Sequence, residues 1–324
     1  MHENGSQKLE DLIQEGWDHL DAGEYDEAEA VAAKLIASQS SAGYRLQAMC
    51  QIADDDWEAA RESLAAGVSR FPDDWELHLM QGNYLSENEE YDAALAAFER
   101  ALACPGVQPD WIAVNKAVIY SKIGAYEQAL AICAQIDNPD LKLQVLEVEF
   151  RVMSETERYQ EILATSATRI DELPEIEDEG AAVIYAKVLY YIAYASWKTG
   201  GEKDWILEHL WTCIDYDRSN AHALWLLREV RGEYSKDAKH FKLLVQGLFV
   251  SEEDDEDEEI GGEPFFTSYE VVADSLDEAY DMILEFEPED VDMDSLEIVQ
   301  FEEAPADPES PKGIYEVGAL GFLG

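Results

Sequence analysis

The sequence predicts a mostly α-helical chain, in which stacked helix pairs form an α-solenoid and a small α+β domain of ββαββ type follows. Three observations carry this prediction. An aromatic residue with an alanine three positions later recurs at intervals of 32 to 35 residues through the first half. Apolar residues with helical spacing lie before and after each of these pairs. Beyond about residue 235, short segments rich in strand-forming residues replace the helical spacing.

The repeat in the first half predicts a helix–turn–helix unit of about 34 residues. Gly23 and Gly124 lie just before two of the aromatics, where a helix commonly ends on a left-handed residue. Tyr159 continues the aromatic series, with Ile162 in the alanine place. The four complete aromatic–alanine pairs are Tyr25–Ala28, Trp57–Ala60, Tyr91–Ala94 and Tyr126–Ala129.

This unit resembles the tetratricopeptide repeat family, strongly over about residues 9–140 and more weakly over 141–220. The clearest unit runs from Trp75 to Gly106, with Gly82 in its first helix and Tyr91 after the turn. The resemblance implies five to six helix pairs that stack around one core and curve into a right-handed α-solenoid with a concave groove. It also implies small residues where paired helices approach closely, at Gly16, Ala48, Gly82 and Ala117.

The later helix pairs depart from this pattern. Phe150 occupies the position where the fifth pair, about 141–170, should have a small residue. The sixth pair is expected to combine a long helix over about 178–199 with a second helix over about 203–216. Ala221 to Tyr234 is expected to close the array, with Arg228 and Arg231 on its outer face. We expect one domain over residues 1–235.

The remaining residues, 236–324, are expected to form a small acidic α+β domain. Its predicted strands are Phe241–Val250, Tyr269–Ala273, Leu296–Phe301 and Ile314–Phe322, with a helix after Ser275. A disordered acidic loop is expected at 251–263, because eight consecutive carboxylates cannot pair with one another. Residues 241–324 contain 26 acidic and two basic side chains, so the negative charge is concentrated there.

The formal charge of −50 narrows the function classes. A surface this negative repels phosphate backbones and anionic headgroups, so neither nucleic acid nor a membrane is an expected partner. The charge instead favours a basic partner or a salty environment. Four dispersed cysteines suit a reducing compartment, and the N-terminal residues show no signal peptide, so a cytoplasmic location is expected.

No residue pattern predicts catalysis, a cofactor or a bound metal. Sequence motifs typical of nucleotide-binding loops, serine hydrolases and zinc proteases are absent. His209 and Cys213 lie four apart on one predicted helix, but a tetrahedral metal site needs two further ligands. Asp290, Asp292 and Asp294 begin like a calcium loop, but the sequence lacks the required glycine and final glutamate. The chain is therefore expected not to be an enzyme.

The resemblance places a partner in the groove lined by the first helix of each pair. Two of the implied contacts, Asn83 and Asn115, resemble asparagines that hold the backbone of an extended peptide in this family. Trp17 and Trp111 have a second interpretation, which is packing against neighbouring helices. The implied groove residues are Trp17, Arg45, Met49, Leu79, Asn83, Trp111, Asn115 and Val118.

The leading hypothesis is a non-enzymatic scaffold or adaptor that binds a peptide or protein partner in this groove. The alternative is an acidic immunity, inhibitor or nucleic-acid-mimic protein that neutralises a basic partner, because steering by opposite charge speeds capture of a cation-rich surface. A third interpretation makes the acidity an adaptation to salt.

Overall fold

A computed structural model describes residues 3–173, 176, 178–250, 262–288 and 290–322. In this part of the chain there are fourteen α-helices, and five β-strands that all lie beyond residue 238. The chain divides into two compact units, Met1–Glu149 and Phe150–Gly324. The mostly helical architecture with a small C-terminal sheet confirms the predicted fold class.

The first unit contains four helix pairs and the beginning of a ninth helix. Consecutive helices in it pack against each other, and a short 3₁₀ turn, Pro139–Leu141, precedes the ninth. The helices are α1 (Glu3–Asp21), α2 (Tyr25–Ala37), α3 (Ser41–Ala53), α4 (Trp57–Arg70), α5 (Trp75–Glu87), α6 (Tyr91–Ala103), α7 (Pro109–Lys122) and α8 (Tyr126–Cys133).

The repeated aromatic is the first residue of the second helix in every pair, as the spacing predicts. The residue two positions earlier always has a positive φ, which ends the first helix and reverses the chain. Glycine supplies that conformation in two of the turns, and an ordinary residue supplies it in the others. The left-handed residues are Gly23 (73°), Asp55 (61°), Glu89 (60°), Gly124 (76°) and Glu157 (58°).

The small and alanine positions account for the close approach of paired helices. Ala28, Ala60, Ala94 and Ala129 are fully buried. A Cβ atom added to Gly82 would lie 2.2 Å from Cε1 of Phe98, which is itself fully buried on the partner helix. Real Cβ atoms do not approach a neighbour so closely, so this pair requires glycine.

Helix α9 (Lys142–Glu155) continues from the first unit into the second, where the repeat pattern loosens. It is followed by α10 (Tyr159–Arg169), a 3₁₀ turn (Ile170–Glu172), α11 (Glu179–Lys198), α12 (Lys203–Tyr216) and α13 (Ala221–Arg231). Phe150, at the small position of the fifth pair, is fully buried, so this pair keeps its core with a large side chain.

The C-terminal part of the second unit is an antiparallel sheet with one helix. It consists of β1 (Lys239–Phe249), β2 (Glu263–Ala273), α14 (Leu276–Phe286), β3 (Glu297–Pro305), β4 (Gly313–Val317) and β5 (Gly321–Phe322). The strand order is β3-β1-β2-β4, and β5 pairs with β2. Helix α14 contacts β2 and β4. Alternation along β1 places Phe241, Leu243 and Val245 in the core.

One hydrophobic core joins the sheet to the helices before it. Leu210 and Leu227 belong to the same buried cluster as Phe241, Tyr269 and Ile283. The two compact units divide at 149/150, and the domains expected from composition, 1–235 and 236–324, stay a prediction. The residues on each side of 235 share apolar contacts that local composition does not reveal.

The expectation that Arg228 lies on the outer face of α13 is wrong. Its side chain is buried, its Nη1 donates to the carbonyl of Ile314 at 2.5 Å, and its guanidinium lies 3.7 Å from the ring centroid of Tyr315. The reason is that β4 packs against α13 and covers this arginine. Arg231 stays near the surface, where it donates to Glu285 at 2.6 Å.

A buried polar cluster ties the loop before α13 to the sheet. Arg218 Nη2 donates to the hydroxyl of Tyr269 at 2.7 Å and to Oε2 of Glu287 at 2.9 Å. The hydroxyl of Tyr269 also donates to Glu287. Burial raises the pKa of Tyr269 well above its ordinary value, so this hydroxyl stays protonated as a donor. These hydrogen bonds engage the tyrosine hydroxyl and both glutamate oxygens, while Arg218 Nε is buried without a partner among the described residues; we interpret this cluster as structural.

The predicted disordered loop at 251–263 falls mostly on residues 251–261, which lie outside the described residues. Its last residue, Glu263, is the first residue of β2. Among the helices that the structure describes, none combines the length and the apolar content needed to cross a membrane.

Candidate partner-binding site

The eight groove residues predicted from the resemblance all lie on the first helices of the repeat pairs. They are distributed over α1, α3, α5 and α7. Each of these helices contacts the next first helix along the chain, so the four form a continuous row. Trp17, Met49, Asn83 and Val118 each lie eight residues before the aromatic of their own repeat. Equivalent positions of stacked repeats line up, so these four side chains belong to one face of the row.

Two of the predicted contacts also contribute to the hydrophobic core. Trp17 is half-buried against the cluster that contains Leu35 and Leu46. Leu79 is half-buried against the cluster that contains Phe98 and Ile112. Their remaining exposed surface is available to a partner, but replacing either residue would also disturb packing. Packing against neighbours, the second interpretation given for Trp17 from the sequence, describes its contacts in the structure.

Arg45 forms the principal electrostatic contact in the row. Its guanidinium pairs with the carboxylate of Glu76, which links α3 to α5. Arg45 Nε is buried and has no hydrogen-bond partner. A buried donor without an acceptor costs about 1–3 kcal/mol of stability. An acceptor that reached Nε would form a hydrogen bond to a group that is already desolvated. The sequence pattern did not identify Glu76, because the pair depends on the stacking of two repeats.

The two asparagines differ in how far their amides are engaged. Asn115 is half-buried, and its Nδ2 donates to the carbonyl of Trp111 at 2.8 Å. Asn83 is exposed, and within the described residues its side chain makes no hydrogen bond. Asn83 therefore offers a donor and an acceptor to a peptide backbone without breaking an existing contact.

The other apolar members of the row are half-buried. Met49, Trp111 and Val118 each keep part of their surface accessible. Methionine adapts to irregular shapes, and tryptophan offers a large apolar area with one donor. Together with Asn83 and Arg45, they give the row the mixture of apolar and polar groups that peptide recognition requires.

Cys50 and Cys213 are unsuited to nucleophilic chemistry. Burial raises the pKa of Cys50 to about 11, and Glu29 and Asp54 add to the increase. Burial likewise raises the pKa of Cys213 to about 12. Because the thiolate is the reactive form, both side chains remain protonated and unreactive near neutral pH.

The two metal-like patterns in the sequence have structural partners instead. The ring of His209 stacks on Trp205 with centroids 3.6 Å apart, while Cys213 Sγ donates to the carbonyl of Ala186. Oδ1 of Asp292 accepts from the amide of Asp294 in the turn before β3. Among the described residues, no three His, Cys, Asp or Glu side chains come together in a group that could hold a metal ion.

Comparisons with known proteins agree with this geometry. A family model described as tetratricopeptide repeat matches residues 13–74 and 46–109. No curated protein sequence matches the chain.

Solved structures with a similar fold share little sequence with this chain. A chain of the APC/C hetero-tetramer Cut9-Hcn1 is 11% identical, with a TM-score of 0.54 over 68% of this chain and 42% of that one. Pseudomonas aeruginosa pilF is 11% identical, with a TM-score of 0.48 over 69% of this chain and 98% of that one. NprR in complex with its cognate peptide NprX is 13% identical, with a TM-score of 0.49 over 68% and 69%. Such low identities are informative about the fold alone. Residues 13–109 therefore match the tetratricopeptide repeat model, and the helical array has a fold similar to that of solved tetratricopeptide-like structures.

Proposed function

We propose that this protein is a non-enzymatic interaction scaffold that binds a peptide or protein partner along the row α1, α3, α5 and α7. The observation that supports this proposal most strongly is that four side chains occupy the same position in successive repeats, on first helices that contact one another in sequence order: Trp17, Met49, Asn83 and Val118. Such a row presents a repeated surface to an extended chain, and stacked repeats use extended surfaces of this kind for binding.

Individual groups in the row support recognition of an extended peptide. The free amide of Asn83 provides for the backbone of the peptide. Met49, Trp111 and Val118 provide apolar area for its side chains. The absence of predicted catalytic motifs and the high pKa values of Cys50 and Cys213 support the non-enzymatic part of the proposal.

The chemistry of the partner follows from charge. With 72 acidic against 22 basic side chains, the protein attracts a basic partner and repels an acidic one. A cytoplasmic location belongs to the same proposal, supported by dispersed cysteines without a disulfide framework. The same charge supports a second candidate function, neutralisation of a basic protein by an acidic surface, which would not need the row.

The test is to select peptides from a random library on the intact protein and measure their affinities for variants. Asn83→Ala and Met49→Ala should each weaken the selected peptide by about fivefold to tenfold, in the range of one lost hydrogen bond or apolar contact. Gln128→Ala is the matched control, because it removes an exposed side-chain amide from the second helix α8. Equal affinity of all three variants for the peptide would contradict the proposed site.

The neutralisation alternative gives a different result in the same experiment. Binding of a basic protein would fall steeply with salt, because screening weakens exposed charge pairs, and it would be indifferent to Asn83→Ala. Binding in the row through apolar contacts would persist at high salt.

A further inference from the structure

The second unit carries a cluster of aromatic rings, three of which pack with one side against the hydrophobic core and none of which belongs to the predicted groove. Tyr194 is at its centre. Its ring centroid lies 5.8 Å from that of Tyr159, 5.7 Å from Tyr190, 5.9 Å from Trp197 and 6.3 Å from Trp225. Helices α10, α11 and α13 contribute these side chains. We call this set the aromatic patch; its members are Tyr159, Tyr190, Tyr194, Trp197, His222 and Trp225.

The patch is continuous and lies at the surface. His222 extends it beyond Tyr190, with ring centroids 5.3 Å apart, and Trp225 packs edge-on against Trp197 at 5.8 Å. Trp225 is 37% exposed, His222 is exposed, and the other four are half-buried. Packing against the core buries one side of Tyr190, Tyr194 and Trp197, and part of the surface of all six rings still faces water.

A cation already occupies part of the patch. Nζ of Lys198 lies 4.9 Å from the ring centroid of Trp197 and 5.1 Å from that of Tyr194. Within the described residues, Lys198 forms no ion pair, although the chain has a large excess of carboxylates. The ammonium lies at cation–π distance from both rings, so these ring faces are accessible to a positive charge.

Nearby carboxylates make the patch more attractive to a cation. Burial raises the pKa of Tyr159 and of Tyr190, and the neighbouring Tyr194 adds to both increases. Glu157 adds further to the pKa of Tyr159, and Glu155 to that of Tyr190, so a carboxylate acts on each end of the patch. The negative ring faces and these glutamates are complementary to a positive group.

We propose that the aromatic patch binds an arginine side chain of a basic protein segment, whose guanidinium stacks on Trp225 and displaces Lys198 from Trp197 and Tyr194. Arginine suits the site better than lysine, because a planar, weakly hydrated guanidinium stacks on aromatic faces. The patch shares no residue with the row of first helices. It constitutes a second binding surface, and it does not depend on the function proposed for the row.

The test compares two blocked peptides that differ in charge alone. Gly-Arg-Gly-Arg-Gly is titrated into the full-length protein, and the same peptide with citrulline in place of arginine serves as the neutral isostere. Indole N–H resonances of Trp197 and Trp225 report the site, and calorimetry gives the affinity. The arginine peptide should bind at least about tenfold more tightly than the citrulline peptide, within the range of a desolvated cation–π contact.

Variants with a matched control locate the contact. Trp225→Leu should weaken the arginine peptide about tenfold, while Trp225→Tyr keeps a ring and should lose much less. Trp57→Leu is the control, because Trp57 is also 37% exposed but lies on α4 of the first unit. Lys198→Met should tighten binding severalfold, since it removes the competing ammonium without removing a ring.

Several results would overturn the proposal. These are equal affinities for the arginine and citrulline peptides, equal losses in Trp225→Leu and Trp57→Leu, or weaker binding in Lys198→Met. Tighter binding of a proline-rich peptide than of the arginine peptide would instead make the patch a polyproline site. If Trp225→Leu fails to fold, the Trp225→Tyr and Lys198→Met variants still decide.

Discussion

Replacement of Gly82 by alanine tests the close packing on which the repeat depends. The added Cβ would lie 2.2, 2.5 and 2.9 Å from Cε1, Cδ1 and Cζ of Phe98. Phe98 is fully buried, and its ring cannot withdraw without disturbing its neighbours in the cluster with Ala94 and Ile112. Such overpacking costs about 1–3 kcal/mol, whereas alanine in place of glycine gains about 1 kcal/mol of helix propensity. Because three ring atoms of Phe98 would lie within 3 Å of the added carbon, the overpacking cost falls in the upper part of its range, about 2–3 kcal/mol, and the expected net loss is about 1–2 kcal/mol.

Urea and thermal unfolding of the full chain measure this loss. For a domain of this size, 1 kcal/mol corresponds to roughly 2–4 °C, so Gly82→Ala should lower the Tm by roughly 2–8 °C. Gly180→Ala is the control, because an added Cβ there meets no atom closer than Oδ1 of Asp178 at 3.2 Å.

Combination with Phe98→Leu makes the contact explicit. In that background the added methyl has room, so Gly82→Ala should be less harmful and the two effects should not add. An unchanged or higher Tm for Gly82→Ala alone would show that the two helices are further apart than the structure indicates.

Three further predictions concern the turns, the sheet and the acidic segment. Glu89→Gly should stabilise the protein against urea by about 0.5–1 kcal/mol, because glycine adopts the observed φ of 60° without a clash. Gly124→Ala should destabilise the protein, because it places a side chain at a positive φ. Equal effects of the two substitutions would refute the turn assignment. The hydrogen bond from Lys242 lowers the pKa of Glu270, with smaller contributions from His240. The stability that ionised Glu270 adds is therefore fully present above the pKa of the unfolded state and is lost as pH falls through the pKa of the folded state. Lys242→Met should therefore make unfolding less sensitive to pH in the acidic range, and an identical pH profile would contradict this. Limited proteolysis should cut first within 251–263, because eight adjacent carboxylates cannot pair locally. The two fragments should stay associated, because β1 and β2 pair along their whole length on either side of the cut. Separation of the fragments on gel filtration would contradict the shared core.

The repeat could be predicted from the sequence because its signal is local. The spacing of Tyr91 and Ala94 is set by the geometry of a single helix pair, so the helix starts at 25, 57, 91, 126 and 159 follow from it. The left-handed residues at Asp55 and Glu89 escaped prediction, since neither residue type marks such a turn. The repeated geometry of the turn imposes the conformation there.

Contacts between distant segments could not be predicted in the same way. Alternating residues identified the strands, but the order β3-β1-β2-β4 depends on which edges meet after folding. Arg228 was expected at the surface because it follows the polar spacing of α13, and only the arrival of β4 explains its burial. Tyr190, Tyr194 and Trp197 share one face of α11 through their helical spacing, but the contact of this face with Trp225 depends on the packing of α13.

The central claim, that a partner binds along the first helices, is tested most directly by amide hydrogen exchange of the protein with and without a selected peptide. Added protection should appear in α1, α3, α5 and α7, with its maximum near Met49, Asn83 and Val118, while α2, α4, α6 and α8 exchange at unchanged rates. Protection confined to the second helices, or to residues beyond 149 alone, would contradict the claim.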